Sequence, residues 1–406
     1  MSERPLSREA KALIAMSRTS LSRRRILQVA GVGGVAAVVA ACGAGGGDGS
    51  SSTAAPSPTV TDKSDTDKTV VWSNWPLYID EDDSGGRPSL AAFEKQTGIT
   101  VTYNDDVNDN NEFYAKVRTQ LESGQSIDRD IVTLTDWMAA LWIRNGYVQK
   151  LDRAVLPNAA NLIPRLADVA FDKPRDYSLP WQSGFGALGW NKAALKSVLG
   201  TDTMTSIDQL FDPKLNGKIS VLSEMRDTMG ILIAWQGNDP SNFTEDQFNQ
   251  ALDALQKQID SGQIRQVAGN DYAGAMESGD VTAVIGWSGD MFQLGPDFGV
   301  GLPETGGMLW TDNMIIPASS EHAKNASILM NYYYDPKVSA EVAAYVQYIC
   351  PVVGAKEEMA KIDPALVDNQ WIFPSDETFA KSYVFMELTP EQDEKYQRAF
   401  QKAIGN

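Results

Sequence analysis

The chain is 406 residues long, 43% hydrophobic and 22% charged, which is room for two lobes with their own cores and the composition of a protein that folds in water. Its 35 Lys and Arg against 53 Asp and Glu give a formal charge of -18, a field that repels phosphate backbones, excludes nucleic acid as a partner and favours a cationic ligand. One His (His322) and two Cys (Cys42, Cys350) are too few for a His/Cys zinc site and leave His322 alone to serve any histidine-based triad.

Residues 1–41 carry seven basic side chains against two acidic ones and read as an export signal. Ser22-Arg23-Arg24-Arg25-Ile26-Leu27 is similar to a twin-arginine motif, although the same arginines also suit an ordinary secretory signal. The apolar stretch Ile26 to Ala41 is 16 residues long, short of the roughly 20 that span a bilayer. Val39-Ala40-Ala41-Cys42 resembles a lipobox, in which Cys42 becomes the lipidated first residue of the mature protein. Residues 42–68, rich in Gly, Ser, Thr, Pro and Asp, then read as a flexible linker from the lipid anchor to the folded body. With Cys42 acylated, Cys350 has no partner and is expected to pack as a small buried hydrophobe.

From Thr69 on, short apolar strands alternate with amphipathic helices, the signature of an α/β protein. Val70-Val71-Trp72, Ile99 to Tyr103 and Asp130 to Leu134 read as strands. Ser89 to Thr97, Asn111 to Ser123 and Asp136 to Asn145 read as helices, each followed by Gly where a left-handed cap is needed. Thr244-Glu245-Asp246-Gln247 is a capping box ahead of Phe248, Leu252, Leu255 and Ile259 on one helical face, and Thr389-Pro390-Glu391-Gln392 opens a last helix.

Gly31-Val32-Gly33-Gly34 lies in the export segment with no strand before it, so it is no dinucleotide fingerprint, and Asn216-Gly217-Lys218-Ile219 lacks the remaining residues of a phosphate loop. No cofactor, metal or catalytic residue is implied. The acids Glu224 and Asp227 leave open a carboxylate-pair hydrolase. Aromatic and acidic residues recur together: Trp75 with Tyr78, Asp136 with Trp137, Trp287 with Asp290, Trp310 with Asp312. Aromatic faces attract cations and carboxylates complete the recognition of an ammonium group, although each pair alone is also what a core Trp beside a solvated Asp looks like.

Four strings in order, Asn74-Trp75-Pro76-Leu77-Tyr78, Asp130 through Asp152, Ile285 through Asp290, and Leu309 through Ala318, resemble the spermidine/putrescine-binding proteins of bacterial polyamine importers, with coverage of about residues 69–404. The resemblance implies a two-lobe periplasmic-binding-protein fold of type II, with the ligand cleft between the lobes and a hinge that closes on it. Lobe one would be 69–185 plus 312–352 and lobe two 186–311 plus 353–406, with crossings near Gly184–Ala187, Trp310–Asp312 and Pro351–Gly354. It implies Trp75, Tyr78, Thr135, Trp137, Trp287, Trp310 and Tyr348 as walls and hydroxyls of the cleft. Glu224, Asp227, Asp290 and Asp312 are the implied ammonium partners, with Asp312 dominant. The partners would be a polyamine and a membrane permease with a separate ATPase chain, and the chain would act as a lipid-anchored, extracytoplasmic monomer. An oligosaccharide-binding lipoprotein of related fold is the alternative within the binding class. Pro76, Leu77 and Phe385 depart from the polar residues of the family at those places. The acids outnumber the charges of a dication, so a triamine is expected to bind at least as tightly as a diamine.

Overall fold

The computed structural model describes residues 60–405. The export segment, Cys42 and the linker up to residue 59 lie outside the described residues.

The strands are β1 (Thr69–Asn74), β2 (Thr100–Asp105), β3 (Ile131–Thr135), β4 (Ser178–Asn191), β5 (Ile219–Leu222), β6 (Ile264–Ala268), β7 (Ala283–Trp287), β8 (Phe298–Gly301), β9 (Gly307–Ile315) and β10 (Ser382–Tyr383). They join in one sheet in the order β2-β1-β3-β9-β4-β7-β5-β6, with β8 on β4 and β10 on β9. β2-β1-β3 and β7-β5-β6 are parallel, and their crossover helices cover the faces. Between these two halves the long strands β4 and β9 run antiparallel, from Ser178 opposite Ile315 to Gly186 opposite Met308. They carry the chain from one half to the other.

The three helices read near the N-terminal end form at Pro88–Thr97, Asn110–Glu122 and Asp136–Arg144. Both capping boxes close: the Thr244 and Thr389 hydroxyls accept from the Gln247 and Gln392 amides, and those glutamine side chains reach back to the cap backbone.

Each half has its own core. In the first, Trp72 packs edge-on against Trp181, centroids 4.8 Å apart, and Trp181 against Tyr333 at 4.9 Å. In the second, Phe248 stacks on Tyr396 at 4.2 Å with fully buried Phe400 beside them, which ties the helix Glu245–Asp260 to the last helix, Pro390–Ile404. A further small cluster, Phe185, Ala187, Leu309, Ile349 and Phe379, sits where β4 and β9 pass between the halves. There Gly184 lies so close to Trp310 that a Cβ would stand 2.5 Å from its ring.

Two placements differ from the sequence expectations. Ala355, Met359 and Ile372 bury in the first core, so residues 355–373 belong with the first half and not with the second, because the helix Ala355–Ile362 presents its apolar face to that core. The end of the expected linker is fixed chain. The Ser64 hydroxyl accepts from the Asn325 backbone at 3.1 Å, the Lys63 backbone donates to Glu321 at 2.7 Å, and Asp67 lies 3.3 Å from His322, which also contacts Asp130 at 3.1 Å. These contacts strap residues 62–68 to the start of the helix Ala323–Tyr333. Cys350 is buried and free, its sulfur 3.1 Å from the Ser339 hydroxyl.

Truncating Phe400 to Ala removes the largest apolar side chain of the last helix from a closed core. Chemical denaturation should show a loss of about 3–5 kcal/mol, whereas Thr389→Ala, which removes only the cap, should cost about 1 kcal/mol.

Candidate functional site

Helix starts and strand ends of both halves converge on one cleft. Asp312 stands on β9 directly opposite Thr135 on β3. Its carboxylate accepts from the Thr135 hydroxyl at 2.7 Å and from the Tyr78 hydroxyl at 2.9 Å. Behind Thr135, Asn110 donates to that hydroxyl at 2.9 Å, and behind Tyr78 the Trp181 indole donates to its carbonyl at 3.0 Å. Both ligands of Asp312 are therefore held from behind.

Across the cleft, Asp290 lies in the first turn of the helix Ser288–Gln293 that follows β7. It accepts from Tyr348 at 2.6 Å, Tyr272 at 2.8 Å and Asn270 at 3.1 Å. Glu224 is the N-cap and Asp227 the first-turn acid of the helix Met225–Trp235. Asp227 accepts from the Trp287 indole at 3.0 Å. It is also backed by Gly186, where a Cβ would stand 2.5 Å from its carboxylate, so β4 needs glycine there for close approach. Tyr348 meets Tyr78 and Trp310 edge-on at 5.3 and 5.4 Å and continues the aromatic wall.

Ten of the eleven side chains singled out in the sequence line this cleft: Trp75, Tyr78, Thr135, Glu224, Asp227, Trp287, Asp290, Trp310, Asp312 and Tyr348. Trp137 does not, and its ring is covered by the Arg226 guanidinium, 4.0 Å from the centroid. The lining also holds Pro76, Asn108, Asp109, Asn110 and Asn270. The polar run Asn108-Asp109-Asn110-Asn111 ahead of an amphipathic helix was the available signal, and Asp109 does cap that helix through the Asn111 and Glu112 amides. Phe385 lies outside the lining, 5.1 Å from Phe243 in the second core.

Asp227 and Asp312 are 4% and 5% exposed. Helix N-termini favour anions, but burial wins here. It pushes Glu224 up to about 8, with Arg226 pulling down and Asp109 and Asp227 pushing further up. Burial also raises Asp227 and Asp312 to about 7 against the Trp287, Thr135 and Tyr78 hydrogen bonds that lower them. Asp290 is raised by the same cause in spite of its three donors. Such carboxyls hold either a proton or a cation. Among the described residues no group of three or more His, Cys, Asp or Glu is arranged to hold a metal ion, and no helix is long and apolar enough to cross a membrane.

Two lobes bridged by paired strands, with an acidic and aromatic cleft where they meet, define the two-lobe fold of periplasmic binding proteins. The chain belongs to the bacterial extracellular solute-binding protein family, whose sequence model matches residues 89–368. It is similar to the spermidine/putrescine-binding periplasmic protein of Salmonella typhimurium, 26% identical over 321 residues, 78% of this chain and 86% of that one. It is also similar to the putrescine-binding periplasmic protein PotF of Escherichia coli, 27% identical over 353 residues, 82% and 91% of the two chains. In fold it matches the spermidine/putrescine ABC transporter substrate-binding protein PotD of Streptococcus pneumoniae, with a TM-score of 0.67 at 21% identity, over 83% of this chain and 98% of that one.

The raised carboxyls make stability depend on pH. The folded protein keeps protons on Glu224, Asp227 and Asp312 that unfolded carboxyls release near pH 4. Their contribution is complete below about pH 4 and is lost as pH rises through about 7 to 8. The ligand-free melting temperature should therefore fall between pH 5 and 8.5 in dilute buffer, and Asp312→Asn should flatten that slope. An equal slope in the variant would contradict the assignment.

Proposed function

We propose that the protein is an extracytoplasmic binding protein that captures a polyamine, spermidine or putrescine, and delivers it to a permease driven by an ATPase on another chain. The observation that carries this reading is the charge of the cleft. Five carboxylates (Asp109, Glu224, Asp227, Asp290, Asp312) line it, and no Lys, Arg or His does so among the described residues. The aromatic walls accept methylenes and ammonium groups alike. The curated relatives that match over most of the chain carry polyamine binding in their names. A neutral sugar would use the aromatic walls but not the buried acids. The acids themselves are engaged by hydroxyl, indole and amide donors, an arrangement suited to holding a cation and not to exchanging protons with a scissile bond.

Magnitudes support capture in the micromolar range. Each charge-assisted hydrogen bond contributes about 1.5–3 kcal/mol, a desolvated cation over an indole about 2, and four buried methylenes about 3 in all. Set against about 4–15 kcal/mol of association cost, a net of about -8 kcal/mol, or micromolar, is attainable.

Asp312 is the proposed main ammonium partner, since two donors orient it and both are held from behind. Titration calorimetry should show that Asp312→Asn weakens putrescine and spermidine binding at least tenfold, about 1.4 kcal/mol, while sugars neither bind nor raise the melting temperature. A smaller loss would remove Asp312 from the role.

The proposed anchor is a diacylglycerol on Cys42, from which the chain reaches the strap at residues 62–68. Cys42→Ala should move the protein from the membrane fraction to the soluble extracytoplasmic fraction, and an unchanged membrane fraction would contradict lipidation.

A further inference from the structure

Arg226 stands between the two acids of the helix Met225–Trp235 and is pinned on every side. One guanidinium nitrogen is 2.8 Å from Asp393 on the last helix. The other is 4.0 Å from Glu224 and is buried with no hydrogen-bond partner. The plane of the group lies over Trp137 of the first lobe, and Phe385 of the second lies 6.0 Å away on the same guanidinium. The side chain is only 14% exposed.

We infer that Arg226 is a built-in cation that closes the Glu224 end of the cleft and makes the site prefer diamines to triamines. The inference deepens the polyamine reading and rests on it. Glu224 faces the cleft with one side and Arg226 with the other. An ammonium group that reaches Glu224 from inside therefore comes up against a guanidinium across the same carboxylate. The aromatic surface that a further ammonium would need, the ring of Trp137, is already taken. Arginine cannot step aside by losing its proton, and its planar, weakly hydrated group stacks on indole better than an alkylammonium does. The surplus of acids that favours a triamine on sequence alone is met in part from within the chain.

The test is calorimetry of putrescine and spermidine on the full chain at one salt and pH, beside the variants Arg226→Gln and Arg226→Ala. Arg226→Gln keeps a polar reach toward Asp393 but loses charge, and Arg226→Ala removes the charge and uncovers the Trp137 ring. The wild type should bind the diamine at least tenfold tighter, and each variant should bring the two ligands within threefold through a gain in spermidine affinity. Equal or tighter spermidine binding by the wild type would overturn the inference. So would an unchanged ratio in variants that melt at the wild-type temperature, and if Arg226→Gln does not fold, Arg226→Ala decides alone. Both of those outcomes leave polyamine capture standing. Binding of neither amine by the wild type would overturn polyamine capture itself, and the inference with it.

Discussion

Antiparallel pairing of β4 with β9 is the constraint on which the remaining architecture depends. The two strands run side by side from Ser178 and Ile315 to Gly186 and Met308, and every other strand of the sheet is attached, directly or through a neighbour, to one of them. Side chains on a strand alternate between faces, so register decides which of them see the cleft. The same ladder sets Asp312 opposite Thr135 on one side and Gln182 on the other. A slip of one residue would turn the carboxylate away from Tyr78. The parallel halves then aim their helix starts at the place where β4 and β9 cross, as open α/β sheets do at the carboxyl ends of their strands. Asp109, Glu224, Asp227 and Asp290 all arrive on such helix starts.

Putting several carboxylates in one dry cleft carries an electrostatic cost. The protein lowers it with hydroxyl and indole donors, which interact with an anion without neutralising it. The acids consequently stay far from their ordinary ionisation, and a cation of the right length relieves the strain of several at once. Selectivity of this kind comes from what the site lacks when a ligand is neutral, and less from the strength of any single contact. The aromatic ring set, Tyr78, Trp310 and Tyr348, adds apolar surface beside these acids, which in the proposed function would favour an alkylammonium over a hydrated metal ion.

Local chemistry was legible in the sequence and long-range apposition was not. Thr244 with Gln247 and Thr389 with Gln392 announce helix starts because a capping box needs only four consecutive residues. Val70 and Trp72, both fully buried, follow the strand period. Aromatic and acidic residues side by side marked Trp75, Tyr78, Trp287, Asp290, Trp310 and Asp312 in the cleft lining, whereas Thr135 and Tyr348 came only from the family resemblance. The stacking of Arg226 on Trp137 has no local signature: the two residues are on different lobes, and only the closure of the sheet brings them together. Asn270 and Tyr272 escaped notice for the same reason, since their role is to support an acid eighteen or more positions away. The helix Ala355–Ile362 was amphipathic on sequence, but which of two cores would receive its apolar face depends on tertiary packing.

The strap formed by residues 62–68 has a mechanical consequence. Any pull on the N-terminal segment enters the body through Lys63, Ser64 and Asp67 and is taken up by the helix Ala323–Tyr333, which packs in the first core. The strap thus joins the half of the molecule opposite the one that carries Glu224, Asp227 and Asp290, so such a pull is received on one side of the cleft.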